Sequence, residues 1–331
     1  MKLPCKALLF RDWKYSKWFI PLLIMELFVM YIIYNFIFFE KSFFPRLNLF
    51  QDINGILIPA FIITFTIILM AISLFYYDRK HTNYTLAASM PFKRDEIITS
   101  KWCVGLYTIF VSFFVIYILM NALLITNFCW SLFFFDITKW FILFLSFSLC
   151  VFGFVMVIQS LSGSSIIGSI MTFLFAAFPF SLFYSFYGVF IIHYREVNAP
   201  RSISKFLKLP FMQTLFLSAG NPQIDIGFGK AIILSIGFLI LTLALYLISL
   251  QFYKKIRFEK IGCITMLSSF EKFYRAILSY YAGFFTLILL SLTFQKYAFR
   301  PDIVILCCVI LPIPFYFVSG KAFKLYSKRF A

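Results

Sequence analysis

Residues 78–102 read DRKHTNYTLAASMPFKRDEIITSKW and separate two almost unbroken apolar runs, 55–77 and 103–126. A bilayer crossing needs about 20 mostly apolar residues in a helix. Both runs meet that length, so the polar stretch is the elbow of a helical hairpin that enters and leaves the membrane on one side. The rest of the chain follows from that reading.

Six further apolar runs of similar length lie at 18–39, 139–159, 166–191, 231–252, 276–294 and 303–319. Each is too long and too uniformly apolar for the strands of a membrane barrel, and helices satisfy every backbone group internally. The composition agrees: the chain is 62% hydrophobic, 22% aromatic and 13% charged, with 49 phenylalanines in 331 residues. Soluble domains carry about 25% charged residues. The expected fold is all-α and polytopic, with about eight transmembrane helices (six to eight) in one membrane domain over 1–331. No stretch reads as a linker to a soluble domain.

The net charge of +17 arises from 30 Lys and Arg against 13 Asp and Glu. These basic residues flank apolar runs, which is the pattern of membrane topology, not of a groove that tracks nucleic acid. With the N-terminus inside, the inner segments 1–17, 78–102, 160–165, 253–275 and 320–331 hold five, five, none, six and four Lys and Arg. Half of the remaining ten fall in the long segment 192–230, which weighs little in setting orientation. Both termini are therefore expected in the cytoplasm, with the chain in a cell membrane, read as the bacterial cytoplasmic membrane.

The connecting segments have their own patterns. In 1–17, Leu3, Ala7, Leu8, Phe10 and Trp13 alternate with Lys6, Arg11, Lys14 and Lys17. This suits an interfacial helix with snorkelling lysines, and no small-residue cleavage site follows as a signal peptide would need. In the cytoplasmic amphipathic segment 253–275, Phe258, Ile261, Ile264, Leu267, Phe270 and Phe273 recur at three-residue steps, so a second inner-surface helix is expected there. The extracellular segment 192–230 carries Pro200, Pro210 and Pro222 and reads equally as a surface-lying helix or a plain loop.

The motifs of chemistry are missing. Gly227-Phe228-Gly229-Lys230 lacks the upstream glycine and the Ser or Thr of a phosphate-cradling loop, so the chain is expected to hold no ATP and no other cofactor itself. His81 and His193 fall on opposite sides of the expected membrane, and the seven cysteines form no CxxC pair. No catalytic, cofactor or metal site is expected. Ser164, Gly168 and Thr172 stand at four-residue steps and read as a small-residue face for close helix approach. Glu26 is the one carboxylate plainly within a run; it reads as either a structural partner or part of a transport path. Asn35, Asn121 and Gln159 read as contacts between helices.

Within the elbow, Thr82 or Asn83 can cap a short helix over 84–89. Met90-Pro91 breaks it, and Pro91 suits the first position of the next helix. Asp95 and Glu96 then sit where the helix dipole favours acids, and the helix runs on into the third span. Such an element can act as a lever on that span; equally, it can be an ordinary amphipathic connector.

The order Leu86, Ser89, Pro91, Arg94, Ile97, Ser100-Lys101 resembles the signature that joins spans two and three in ABC-2-type permeases, and Arg11-Asp12 resembles that family's opening helix. The resemblance implies a non-catalytic membrane subunit of an ABC exporter, driven by a separate cytoplasmic nucleotide-binding ATPase that binds the ATP. It implies a coupling helix over 84–94 that docks on the ATPase, with Arg79, Lys80, Tyr84, Leu86, Ser89, Met90, Pro91, Lys93 and Arg94 as its coupling residues. A second permease chain, the same or different, would complete the path. Length and the 192–230 segment resemble permeases of Gram-positive two-permease exporters of the acetoin-utilisation type. The family usually has six spans, so eight is a departure. The alternative is a membrane sensor that signals through an ATPase without moving cargo, for which 192–230 is small. A membrane enzyme would need a His or acidic cluster on one side, and the sequence shows none.

Overall fold

The computed structural model describes residues 6–29, 54–76, 78, 92–126, 130–175, 178, 181, 228–255, 268–293, 303–304 and 306–328. They form helices α1 (Lys6–Ser16), α2 (Phe19–Val29), α3 (Asn54–Tyr76), α4 (Arg94–Thr126), α5 (Trp130–Leu161), α6 (Ser165–Phe175), α7 (Phe228–Lys255), α8 (Ser268–Thr293) and α9 (Pro312–Lys328), with a π turn over Leu306–Ile310. No sheet occurs among the described residues.

Five described stretches are long and apolar enough to cross a membrane: Arg94–Leu123, Ile137–Leu161, Phe228–Lys255, Phe270–Leu290 and Leu306–Phe323. They coincide with five of the eight expected runs. The other three coincide, over the described residues, with the shorter apolar helices Phe19–Val29, Ile62–Tyr76 and Ser165–Phe175. Exposed Phe, Ile and Leu side chains along α4 and α7 suit a lipid solvent. Residues 268–275, expected within a separate surface helix, form the first two turns of α8. The segments 84–91 and 192–227, and the run from 30 to 39, lie outside the described residues.

The chain divides into two compact units, 1–77 with 90–157 and 207–254, and 78–89 with 158–206 and 255–331. In the first, α1 packs on both α3 and α4. Its buried side chains include Leu8, Leu23, Leu27, Phe75, Trp102, Phe113 and Phe144. The 33 residues of α4 form one continuous rod about 50 Å long at 1.5 Å per residue, so the end of the elbow and the third span share one helix. The rod begins at Arg94, not at Pro91. The reason is local: Glu96 turns back to accept the Lys93 backbone N–H at 3.4 Å, while the N–H groups of Glu96 and Ile97 donate to the Lys93 carbonyl. That is half of a capping box, which fixes Lys93 as the cap.

In the second unit, α8 packs along α9 and the π turn. Pro312 has no N–H to give the Cys308 carbonyl, and the Leu311 N–H instead reaches back five residues to Leu306 at 2.8 Å. Gly283 lies against the Cys307 carbonyl, a place with no room for a side chain. Further along the same pair of helices, the Arg275 guanidinium pairs with Glu271, stacks over Phe323 at 5.7 Å and occupies the space left by Gly320. Buried Tyr274 shares a hydrogen with Ser162 at 3.1 Å, and Tyr281 donates to the Leu174 carbonyl at 2.7 Å. The close approach expected at Gly168 is present: a Cβ there would lie 2.7 Å from Gln159 Oε1.

Candidate coupling site

Among the described residues, the first turns of α4 carry directed contacts to α1, α3 and α7. Asp95, Thr99 and Trp102 recur at i, i+4 and i+7 and so share one helix face. That face meets the end of α7. Arg94 Nη1 donates to the Lys254 carbonyl at 3.1 Å, and Lys254 Nζ returns to Asp95 Oδ2 at 3.1 Å. Both members of that ion pair are about half exposed, so it contributes under about 1 kcal/mol. Deeper in, Thr99 and Tyr246 hydroxyls meet at 3.3 Å, and Trp102 Nε1 donates to Ser249 Oγ at 2.9 Å. The Trp102 ring stands edge-on to Tyr246 and Phe152 at 5.2 and 5.5 Å.

Ser100 and Lys101 turn the other way, toward α1 and α3. Asp12, on α1, accepts from Ser100 Oγ at 2.7 Å and pairs with Lys101 Nζ at 3.6 Å. Arg11 reaches the same carboxylate with Nε at 3.2 Å and Nη2 at 3.0 Å. Lys101 Nζ also donates to the Leu74 carbonyl and lies 5.3 Å from the centre of the Phe75 ring. Lys101 is 0% exposed and Asp12 is 1% exposed, so this is an ionic cluster inside the protein. Buried charge is tolerated only where it is paired and hydrogen-bonded. Among the described residues, Arg11 and Lys101 both face the Asp12 carboxylate, and the Leu74 carbonyl and the Phe75 ring lie against the Lys101 ammonium.

Of the coupling residues expected from the sequence, Lys93 is exposed at the cap of α4 and Arg94 is turned to α7. Arg79, Lys80, Tyr84, Leu86, Ser89, Met90 and Pro91 lie outside the described residues, as does Asn35. Among the polar residues of the spans, Glu26 accepts a hydrogen bond from Thr66 of α3 at 2.6 Å, which ties α2 to α3. Its second oxygen has no hydrogen-bond partner among the described residues. Asn121, read as a contact between helices, donates within its own helix to the Tyr117 carbonyl at 2.8 Å. Sequence reasoning passed over Asp12, Lys101 and Trp102 as a group. A signal was present, because Arg11-Asp12 in the opening helix and Ser100-Lys101 at the end of the signature both carry the family resemblance, and the structure joins them.

Residues 21–256 match the family described as ABC-2 family transporter protein. The chain belongs to that family. An ABC-2 permease is a non-catalytic membrane component of an ABC transporter, and the family in general works with an ATPase. The match runs from within α2 to the end of α7 and includes Lys101 with its α3 neighbours Leu74 and Phe75; Asp12 and α1 lie before it. No curated protein and no solved structure gave a significant match.

Proposed function

We propose that this ABC-2 permease is the membrane subunit of an exporter in a bacterial cell membrane, worked through residues 78–102 by a separate ATPase that holds the ATP. The observation that carries this reading is the anchorage of the point where the elbow re-enters the membrane. The first two turns of α4 bind α1, α3 and α7 at once, and the same helix then runs on as a span. A load on the elbow therefore enters a stiff element and not a loose loop. Eight spans with both termini in the cytoplasm agree with the distribution of Lys and Arg, and the single membrane domain is completed by a second permease chain. Length and the 192–230 segment favour a two-permease exporter of the acetoin-utilisation type. Aromatic, nearly uncharged spans suit an amphiphile or peptide cargo better than a small ion.

The test is co-purification of the chain with a nucleotide-binding protein, followed by ATP hydrolysis measured with and without the permease. Leu86→Asp and Lys93→Glu are expected to abolish stimulation of the ATPase while the permease stays folded. Lys93 is the better basic residue to reverse, because Arg94 also holds the end of α7. Normal stimulation in both variants refutes the coupling role. So does labelling of a cysteine at position 80 by an impermeant reagent from outside the cell.

A further inference from the structure

We infer that Lys101 and Asp12 are positioning residues for coupling: Lys101 clasps the two stems of the elbow together at their base, and Asp12 ties that clasp to α1. This inference rests on the elbow being the site where an ATPase acts.

The elbow leaves α3 at Tyr76 and returns as α4 at Arg94. Leu74 lies in the last turn of α3, where carbonyls have no N–H partner within the helix and carry the negative end of its dipole. Lys101 lies in the second turn of α4 and donates its ammonium to that Leu74 carbonyl. One side chain thus joins the final turn of the outgoing stem to the early turns of the returning stem. The same ammonium is 3.6 Å from Asp12 Oδ1, and Ser100 holds Oδ2 of the same carboxylate at 2.7 Å. Asp12 is therefore gripped by two successive residues of α4, and α1 is fixed to the clasp.

This grouping changes what the elbow moves. A continuous α4 alone would act as a lever on one span. With the clasp closed, α1, α3 and α4 take the load together. Packing alone could hold three helices side by side, and an apolar replacement for a buried ion pair is often no less stable. What the ion pair adds is direction and register. Inside a bilayer helices associate through packing and interhelical hydrogen bonds without a hydrophobic force, so directed polar contacts add to packing in fixing which faces meet. The outer face of α1 adds a consequence. Phe10 is 72% exposed, and Lys6 and Lys14 are exposed beside it, so the helix tied to the clasp carries an interfacial face that travels with the elbow.

The test follows distance and does not need the cargo. Spin labels are placed at the exposed positions Lys14 on α1 and Lys93 at the start of α4, in a cysteine-free background, in the reconstituted complex with its ATPase. Distances are measured without nucleotide and after trapping with ATP and vanadate. In the parent protein the distance should stay the same in both states. In Asp12→Asn and Lys101→Met it should broaden or shift on trapping by up to about one helical turn, ~5 Å, a step size known for packed helices that slip. Stimulated hydrolysis should fall by about tenfold, within the range by which residues on a coupling route act. Lys101→Arg, which keeps the charge, should restore most of both readouts. Asp12→Asn carries the test if Lys101→Met fails to fold, since it keeps the shape and the Ser100 contact. The inference fails if both variants keep the parent distances in both states, or if α1 moves relative to α4 in the parent itself. Leu86→Asp separates the two readings. If it leaves stimulation intact, the elbow reading fails. If it abolishes stimulation while Asp12→Asn behaves as the parent, only the clasp fails.

Discussion

Replacing Trp102 should loosen the base of α4 more than any apolar change on its lipid-facing side. The indole is 1% exposed. Its edge contacts reach Phe152 and Tyr246, its N–H reaches Ser249, and Cη2 would lie 3.0 Å from a Cβ at Gly153. In a water-soluble core Trp→Ala costs about 3–5 kcal/mol. In a membrane the transfer part of that cost falls away, because lipid is as apolar as the protein interior. What remains is the cavity, two edge contacts at about 0.5–1.5 kcal/mol each and an interhelical hydrogen bond at about 0.6 kcal/mol. The ring contacts and the hydrogen bond alone come to about 1.6–3.6 kcal/mol, so with the cavity added Trp102→Ala should cost at least about 2 kcal/mol, and Trp102→Phe, which keeps one ring, about 1 kcal/mol. Folded fraction in a reversible detergent-unfolding titration reads both, with Phe110→Ala as the control, since Phe110 is 50% exposed. Gly153 gives a second, sharper measurement. Gly153→Ala pushes a methyl against the indole and should destabilise the parent, yet cost less in the Trp102→Ala background, where Leu245, at 3.3 Å, is the close neighbour that remains. Equal costs in both backgrounds would show that the indole does not fill the gap above Gly153. A loss at Trp102 no larger than at Phe110 would refute the whole assignment.

Two other substitutions test separate contacts. Gly283→Leu should sharply reduce the yield of folded protein in a size-exclusion assay, because a side chain there runs into the Cys307 carbonyl, whereas Gly237→Leu should be tolerated, having no neighbouring atom within 4 Å. Thr66→Val should lower thermal stability by about 0.6–1.7 kcal/mol, the range for hydrogen bonds between membrane helices, and Glu26→Gln, which still accepts from Thr66, should lower it less; the opposite order would mean that the 2.6 Å bond does not hold α2 to α3.

The spans were legible because length and unbroken apolarity report on the bilayer directly, and five of the eight runs recur as helices long enough to cross it. The continuity of the elbow's end with the third span was legible too, since nothing after Pro91 interrupts a helix. The start of that helix was misplaced by three residues, because a proline advertises a helix start more loudly than a glutamate that folds back on the Lys93 N–H. Burial within the bundle was harder to read. In a soluble helix the polar face marks the outside, but α4 is apolar nearly all round, so periodicity does not say which side meets protein. Lys101 looked like the last charge of a polar link. Its burial depends on Asp12, 89 residues earlier in the chain, and no local pattern announces that partner. Asn121 gives its amide N–H to the Tyr117 carbonyl of its own helix, while its Oδ1 has no hydrogen-bond partner among the described residues.

The distribution of contacts along α4 carries the argument one step further. Its first turns hold ion pairs and hydrogen bonds to three other helices. Further along, between Phe113 and Tyr117, the neighbours are rings: Phe113 against Trp140 and Phe144 at 6.4 and 5.6 Å, and Tyr117 against Phe141 at 4.6 Å. The Tyr117 and Thr138 hydroxyls, 3.1 Å apart, are the described polar link from that region to α5. Aromatic contacts tolerate offset and tilt over centroid separations of about 4.5–7 Å, whereas a hydrogen bond weakens steeply once bent. The ring contacts along this part of α4 can slide without breaking, whereas the Tyr117 bond and the bond from Ser112 Oγ to the Ile20 carbonyl, at 3.5 Å, limit how far it turns. The polar base of α4 thus takes up a displacement of the elbow together with α1 and α3, and the ring contacts farther along the rod let the spanning part follow it.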